Sequence, residues 1–225
     1  MRGNGKQNNE KLLKAIYWED TGGYKWFKNR IDESIKDYFV VQDYILLDGK
    51  QLKNFLEKRI YDNRQGVVVF ASIKIPYSVV HDTSNQNLFL DYLRKGGKAI
   101  ILVYNPLGYI RHPETDKLVS VDYIVASKIL DIRYKGTVTD ALRGVYTSFP
   151  TDDGKKLGLN HWWTAFSGVD PDEVTTVLAL NETGEATAWI KNYGVPAGTG
   201  FIQLWIDNST PEDLTFIQQI AEFNY

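Results

Sequence analysis

The sequence predicts an α/β fold, a flavodoxin-like three-layer domain with a mainly parallel central sheet and a β-hairpin in its C-terminal half. Three observations carry this. Gly66-Val67-Val68-Val69-Phe70-Ala71-Ser72 and Ala99–Val103 are continuous apolar runs, the pattern of strands buried on both faces. Between and before them, apolar residues recur at helical spacing, so strands and helices alternate up to Val103, the rhythm of parallel βαβ units. Third, the chain has 225 residues, 43% of them hydrophobic and 24% charged, enough for one large core and ordinary for a globular protein.

The elements follow in order. MRGNGKQNNE lacks the apolar stretch of a signal peptide, so residues 1–11 read as a disordered leader or a cloning scar, and 12–225 as a single domain. Leu12 to Trp18 is a first strand. It ends in Glu19-Asp20-Thr21-Gly22-Gly23, a turn rich in acid and glycine. Phe27, Ile31 and Ile35 mark a helix. Tyr38 to Leu47 reads as the next strand region, closed by Asp48-Gly49. Leu52, Phe55, Leu56 and Ile60 share one face of a short helix. After the run ending at Ser72 come Ile75-Pro76, read as a loop, and a helix from Asn85 to Arg94 that stops at Gly96-Gly97.

The second half changes character. Val121, Ile124, Val125 and Ile129 predict a helix, and Arg133 to Trp163 reads as a long irregular stretch, with Pro150-Thr151-Asp152-Asp153-Gly154 as a turn. Val174–Leu180 and Ala186–Tyr193 form a hairpin around Asn181-Glu182-Thr183-Gly184-Glu185. Phe201–Ile206 is a further strand. Thr210 is a good N-cap with Pro211 at the first helical position and Glu212 and Asp213 at the positive end. Leu214, Ile217, Ile220 and Ala221 supply the buried stripe of that last helix.

Composition narrows the chemistry. A net charge of −2 with scattered Lys and Arg argues against nucleic acid as a partner. No apolar run approaches the ~20 residues that span a bilayer, so no membrane insertion is expected. The chain has no cysteine, which removes disulfides, thiolate catalysis and thiolate metal sites. No G-x-G-x-x-G, Walker A or G-x-S-x-G pattern is present, and no cofactor or metal is implied. Aromatic residues make up 13% of the chain. They serve either a large core or a surface that stacks on sugars or a partner.

The segments VVVFASIKIP, LFLDYLRKGGKAIILVYNPLGY and GFIQLWIDNSTPEDLTFIQQIAEF resemble class I glutamine amidotransferase-like domains. The chain looks closest to the ThuA-like trehalose-utilisation proteins and the accessory (trimerisation) domain of some β-galactosidases. The resemblance covers roughly residues 12–130 and 174–223. It implies an elbow-like turn after Ala99–Val103 that holds a nucleophilic cysteine in the amidotransferases. Here that turn offers Tyr104-Asn105-Pro106. Downstream, His161 is followed by Trp162-Trp163 where the family has Pro-Glu. Glutaminase chemistry through a thioester therefore lacks its nucleophile.

In an open α/β sheet, ligands bind at the carboxyl ends of the strands. Glu19 and Asp20 follow the first strand and can bind a sugar hydroxyl or a hard cation, or simply cap the next helix. Ser72 ends its strand and can donate into the same cleft. His81 lies in the following loop, as a base near Asn105 or as a helix cap. His112, with Glu114 and Asp116, is either a small acid–base cluster or a surface loop. Asn160-His161-Trp162-Trp163 is either a lid that stacks on a sugar or a loop held down by its Trp residues. Asn181-Glu182-Thr183 and Asn208-Ser209-Thr210 match a glycosylation sequon, a match common by chance. The expected function is a non-catalytic amidotransferase-like domain, part of a larger protein, that binds a small polar ligand such as a carbohydrate, or a partner domain. Its rivals are a ThuA-like enzyme acting on a sugar or glycoside, using Glu19, Asp20, His81 or His112 around Asn105, and a structural self-association module.

Overall fold

A computed structural model describes residues 12–19, 31–72, 74–80, 84–102, 109–111, 118–120, 123–133, 147–159, 168–194, 198–204 and 210–223. It is a mixed α/β structure built on an eight-stranded, mainly parallel sheet. In chain order the elements are β1 (Leu13–Tyr17), α1 (Ile31–Val41), β2 (Ile45–Leu47), α2 (Gly49–Asp62), β3 (Gly66–Phe70), β4 (Lys74–Pro76), α3 (Tyr77–Val80), α4 (Leu88–Arg94) and β5 (Lys98–Ile101). Then come β6 (Tyr109–Arg111), β7 (Leu118–Ser120), α5 (Tyr123–Leu130), β8 (Ser148–Pro150), α6 (Asp152–Lys156), a 3-10 turn at Pro171–Glu173, β9 (Thr176–Asn181), β10 (Ala186–Lys191), β11 (Gly200–Gln203) and α7 (Pro211–Glu222).

The strand order is β2-β1-β3-β5-β11-β10-β9-β8. The first five run parallel, and β10, β9 and β8 add on antiparallel. β3 and β5 are adjacent inner strands, as their unbroken apolar runs require. Alternate side chains feed opposite faces, and the core divides accordingly. Val68, Phe70, Ala99, Ile101 and Phe201 pack with Leu52 and Leu56 of α2 and Phe89, Leu90 and Leu93 of α4. Val67, Val69, Ile100 and Ile202 pack with Ile35 and Phe39 of α1 and Ile217 and Ile220 of α7. Helices thus cover both faces of the sheet.

The turn from α4 into β5 shows why its residues are glycines. Gly96 has φ +89°, the left-handed region that ends the helix. A Cβ on Gly97 would lie 2.3 Å from the Tyr92 ring. That ring is buried because its hydroxyl donates to the Gly66 carbonyl at 2.7 Å, tying α4 to the start of β3.

Several expectations need correction. Tyr38–Val41 is helix, not strand, because Phe39 continues the face begun by Ile35 and buries against the sheet. Asp43, at φ 62°, then turns the chain into a strand of only three residues. Ile75-Pro76 is not a plain loop. It belongs to β4, which pairs with β6, and β6 with β7, in a small second sheet. Part of the stretch read as irregular is β8, which pairs with β9. The turn read at Pro150–Gly154 is instead the start of α6, capped by Thr151, whose hydroxyl accepts from the Gly154 N–H.

The hairpin of β9 and β10 forms with a bulge at Ala186–Trp189. Asn181 organises its loop. Its carbonyl oxygen accepts from the Thr183 and Glu185 N–H groups, and its amide donates to Glu185. The first glycosylation match is thus a buried loop anchor.

Candidate functional site

Five parallel strands end on one edge of the sheet, and the described candidate residues gather where β1, β2 and β3 end. Tyr17 closes β1 and Glu19 follows two residues later. Leu47 closes β2, and Asp48 caps α2. Phe70 closes β3, followed by Ser72 and the β4 residue Lys74.

The sequence builds α2's start from a capping box. The Asp48 carboxylate accepts from the Gln51 N–H at 2.8 Å, and the Gln51 side chain accepts from the Asp48 N–H at 2.9 Å. The Gly49 N–H donates to a second carboxylate, at Glu19 Oε1, 2.8 Å away. Glu19 therefore sits at the positive end of α2. Its other oxygen lies 3.6 Å from the Lys74 ammonium, which is almost wholly buried. The Ser72 hydroxyl donates to the Glu19 main-chain carbonyl at 3.4 Å. Gly49 permits this packing, since a Cβ there would lie 2.7 Å from Glu19 Oε1 and 2.9 Å from Pro76 Cγ.

The result is a compact arrangement of carboxylate, hydroxyl and ammonium on a helix N-terminus. It lies at the sheet's carboxyl edge, with Ser72 and Lys74 buried and turned onto Glu19. Among the described residues, no group of three or more His, Cys, Asp or Glu is placed to hold a metal ion.

The opposite, amino edge is a structural lock. The Lys98 ammonium, at the start of β5, donates to the Ile220, Ala221 and Phe223 carbonyls at the end of α7, and burial pulls it down to about 8. Nearby, Lys14 of β1 pairs with Glu222 at 3.0 Å, and the Tyr44 hydroxyl donates to the same carboxylate at 3.2 Å. Burial alone would raise the Glu222 carboxyl. Hydrogen bonds from Lys14, Gln218 and Tyr44 and the charge of Lys14 hold it below the usual range. Burial, then the Glu222 charge, pushes the Tyr44 hydroxyl up.

The residues 11–222 match the model of the MJECL34 family. The chain belongs to the MJECL34 family. The match takes in the parallel strands, the hairpin and α7 alike, so the Glu19–Ser72 edge lies inside what the family shares in length. No curated protein and no solved structure matches the chain.

Of the sequence candidates, Glu19 and Ser72 are brought together. Asp20, His81, Tyr104, Asn105, His112, His161, Trp162 and Trp163 lie outside the described residues. Sequence reasoning missed Lys74 and Gly49. The Asp48-x-x-Gln51 spacing was a readable sign of the helix start. Nothing local marks Lys74, which meets Glu19, distant in sequence, only in the fold.

Proposed function

We propose that this chain is a non-catalytic, amidotransferase-like binding domain of flavodoxin-like architecture, which takes a small polar ligand of the carbohydrate class at the carboxyl edge between β1 and β3. The observation that carries the reading is the strand order. From β1 the chain goes outward to β2 and then returns to the other side of β1 as β3. In open α/β sheets ligands bind in the crevice at such a reversal of direction. Glu19 and Ser72 stand on its two sides. The order of the five parallel strands, β2-β1-β3-β5-β11, supports the flavodoxin-like description, with β11 in the place of the fifth strand. The lack of cysteine supports a binding role over amidotransferase chemistry.

A ThuA-like enzyme acting on a sugar or glycoside is the second reading. The Glu19–Lys74 pair favours it, because acid–base work needs two titratable groups close to one point.

Titration of intrinsic tryptophan fluorescence with a panel of mono- and disaccharides tests the proposal. The expected result is a saturable change in the parent that is weakened in Ser72→Ala, with no new reducing sugar released. Release of reducing sugar from a disaccharide would favour the enzyme. No saturable change with any member of the panel would overturn the carbohydrate reading.

A further inference from the structure

We propose that Lys74 and Gly49 make Glu19 a fixed two-oxygen acceptor, so that the carboxyl-edge site selects ligands carrying two adjacent hydroxyls. The inference rests on the carbohydrate reading above and narrows it to vicinal diols.

Glu19 is held at three points by three different segments. Its main-chain carbonyl accepts from the Ser72 hydroxyl, after β3, at 3.4 Å. Its Oε1 accepts from the Gly49 N–H, at the start of α2, at 2.8 Å. Its Oε2 lies 3.6 Å from the Lys74 ammonium of β4, an ion pair rather than a hydrogen bond. A carboxylate held through one oxygen still turns about its last bond. Held through both, it keeps one plane. The start of α2 closes in further, since even a Cβ on Gly49 would lie 2.7 Å from Oε1.

Lys74 is the unfavourable part of this arrangement. It is 3% exposed, in a strand whose other residues, Ile75 and Pro76, are apolar and buried. Taking an ammonium out of water has a cost that one long ion pair does not fully offset, and an apolar side chain of similar size is often the more stable choice. What the ammonium adds is control of Glu19. The Glu19 side chain is 18% exposed and that of Lys74 2%, so a ligand at this edge reaches the carboxylate and not the ammonium. An ionised carboxylate only accepts, and its two oxygens offer about four acceptor positions. Its complement is a pair of donors on neighbouring atoms. Adjacent sugar hydroxyls supply that pair, whereas an isolated hydroxyl engages one oxygen.

Intrinsic tryptophan fluorescence titrations with D-glucose, D-mannose and D-galactose, each beside its methyl glycoside and its monodeoxy forms, test this, with far-UV circular dichroism as the check on folding. In the parent, loss of either of two neighbouring hydroxyls should weaken binding about tenfold or more, and loss of any other should matter little. In Lys74→Met the ratio of affinities between a sugar and its weakened deoxy form should fall towards one, a change in selectivity that a loss of stability does not produce. Gly49→Ala, which presses on Glu19 Oε1, should lower the same ratio and serves if Lys74→Met does not fold. Saturable binding in which no adjacent pair of hydroxyls matters, or a folded variant of either kind that keeps the parent's ratio, would overturn the diol inference and leave the carbohydrate reading in place. No saturable binding of any of these sugars would overturn the inference, and, with the disaccharides also silent, the carbohydrate reading as well.

Discussion

Gly49 decides how closely the segment after β1 can approach α2. Alanine is the better helix former there by ~1 kcal/mol. Its Cβ, however, would press on Glu19 Oε1 and Pro76. Overpacking of this kind costs ~1–3 kcal/mol, so Gly49→Ala should be net destabilising in urea denaturation, and Glu19 should lose its bond to the helix. A stabilised variant would mean that Glu19 is loosely held. Lys98 makes a second single-residue case. Its ammonium titrates at about 8 in the fold against ~10.4 in an unfolded chain. Between those values the unfolded chain binds more protons, so this group's contribution to stability rises with pH across the window, by up to ~3 kcal/mol, and is flat below it. Lys98→Met removes the titration. The stability of the parent relative to that variant should climb from pH 8 to 10, and a difference independent of pH would contradict the burial of the charge.

Among the elements, α7 was the most legible. Thr210, Pro211 and Asp213 mark its start in the sequence, and the structure adds the reciprocal bonds of a capping box between Thr210 and Asp213. Thr210→Ala should cost ~1 kcal/mol in equilibrium unfolding. A change near zero would show that burial of Ile217 and Ile220 alone positions the helix. β3 and β5 were legible for a different reason: strands covered on both faces need no alternation, and an unbroken run of Val, Ile and Ala states this directly. The errors fall where a pattern is ambiguous or too short. Tyr38-Phe39-Val40-Val41 has strand-like composition, but α1 was already under way and Phe39 was in phase with Ile35. β4 and β8 are three residues each and are defined by the strands they pair with. Ser148 is buried in β8 because the Thr187 hydroxyl on β10 bonds to it, a contact that no local pattern announces. The candidate site was half legible by the same logic. Glu19 and Ser72 are visible as residues that follow strands, whereas Lys74 gains its role only through tertiary pairing.

At the scale of the whole molecule, the two edges of the parallel sheet do different work. The amino edge ties α7 to β1 and β5 through Lys14, Lys98 and Glu222, with the polar groups spent on holding the C-terminal helix. The carboxyl edge gathers Glu19, Gly49, Ser72 and Lys74 at the reversal of strand order. No helix among the described residues is long and apolar enough to cross a membrane. The proposal that the carboxyl edge binds ligand while the amino edge is structural is open to one direct measurement: backbone amide chemical-shift mapping of the full chain during titration with the mono- and disaccharide panel. Binding at the carboxyl edge predicts saturable shifts centred on Glu19, Gly49, Ser72 and Lys74, with Lys14, Lys98 and Glu222 little changed. Shifts centred instead on the amino edge, or none that saturate, would contradict it.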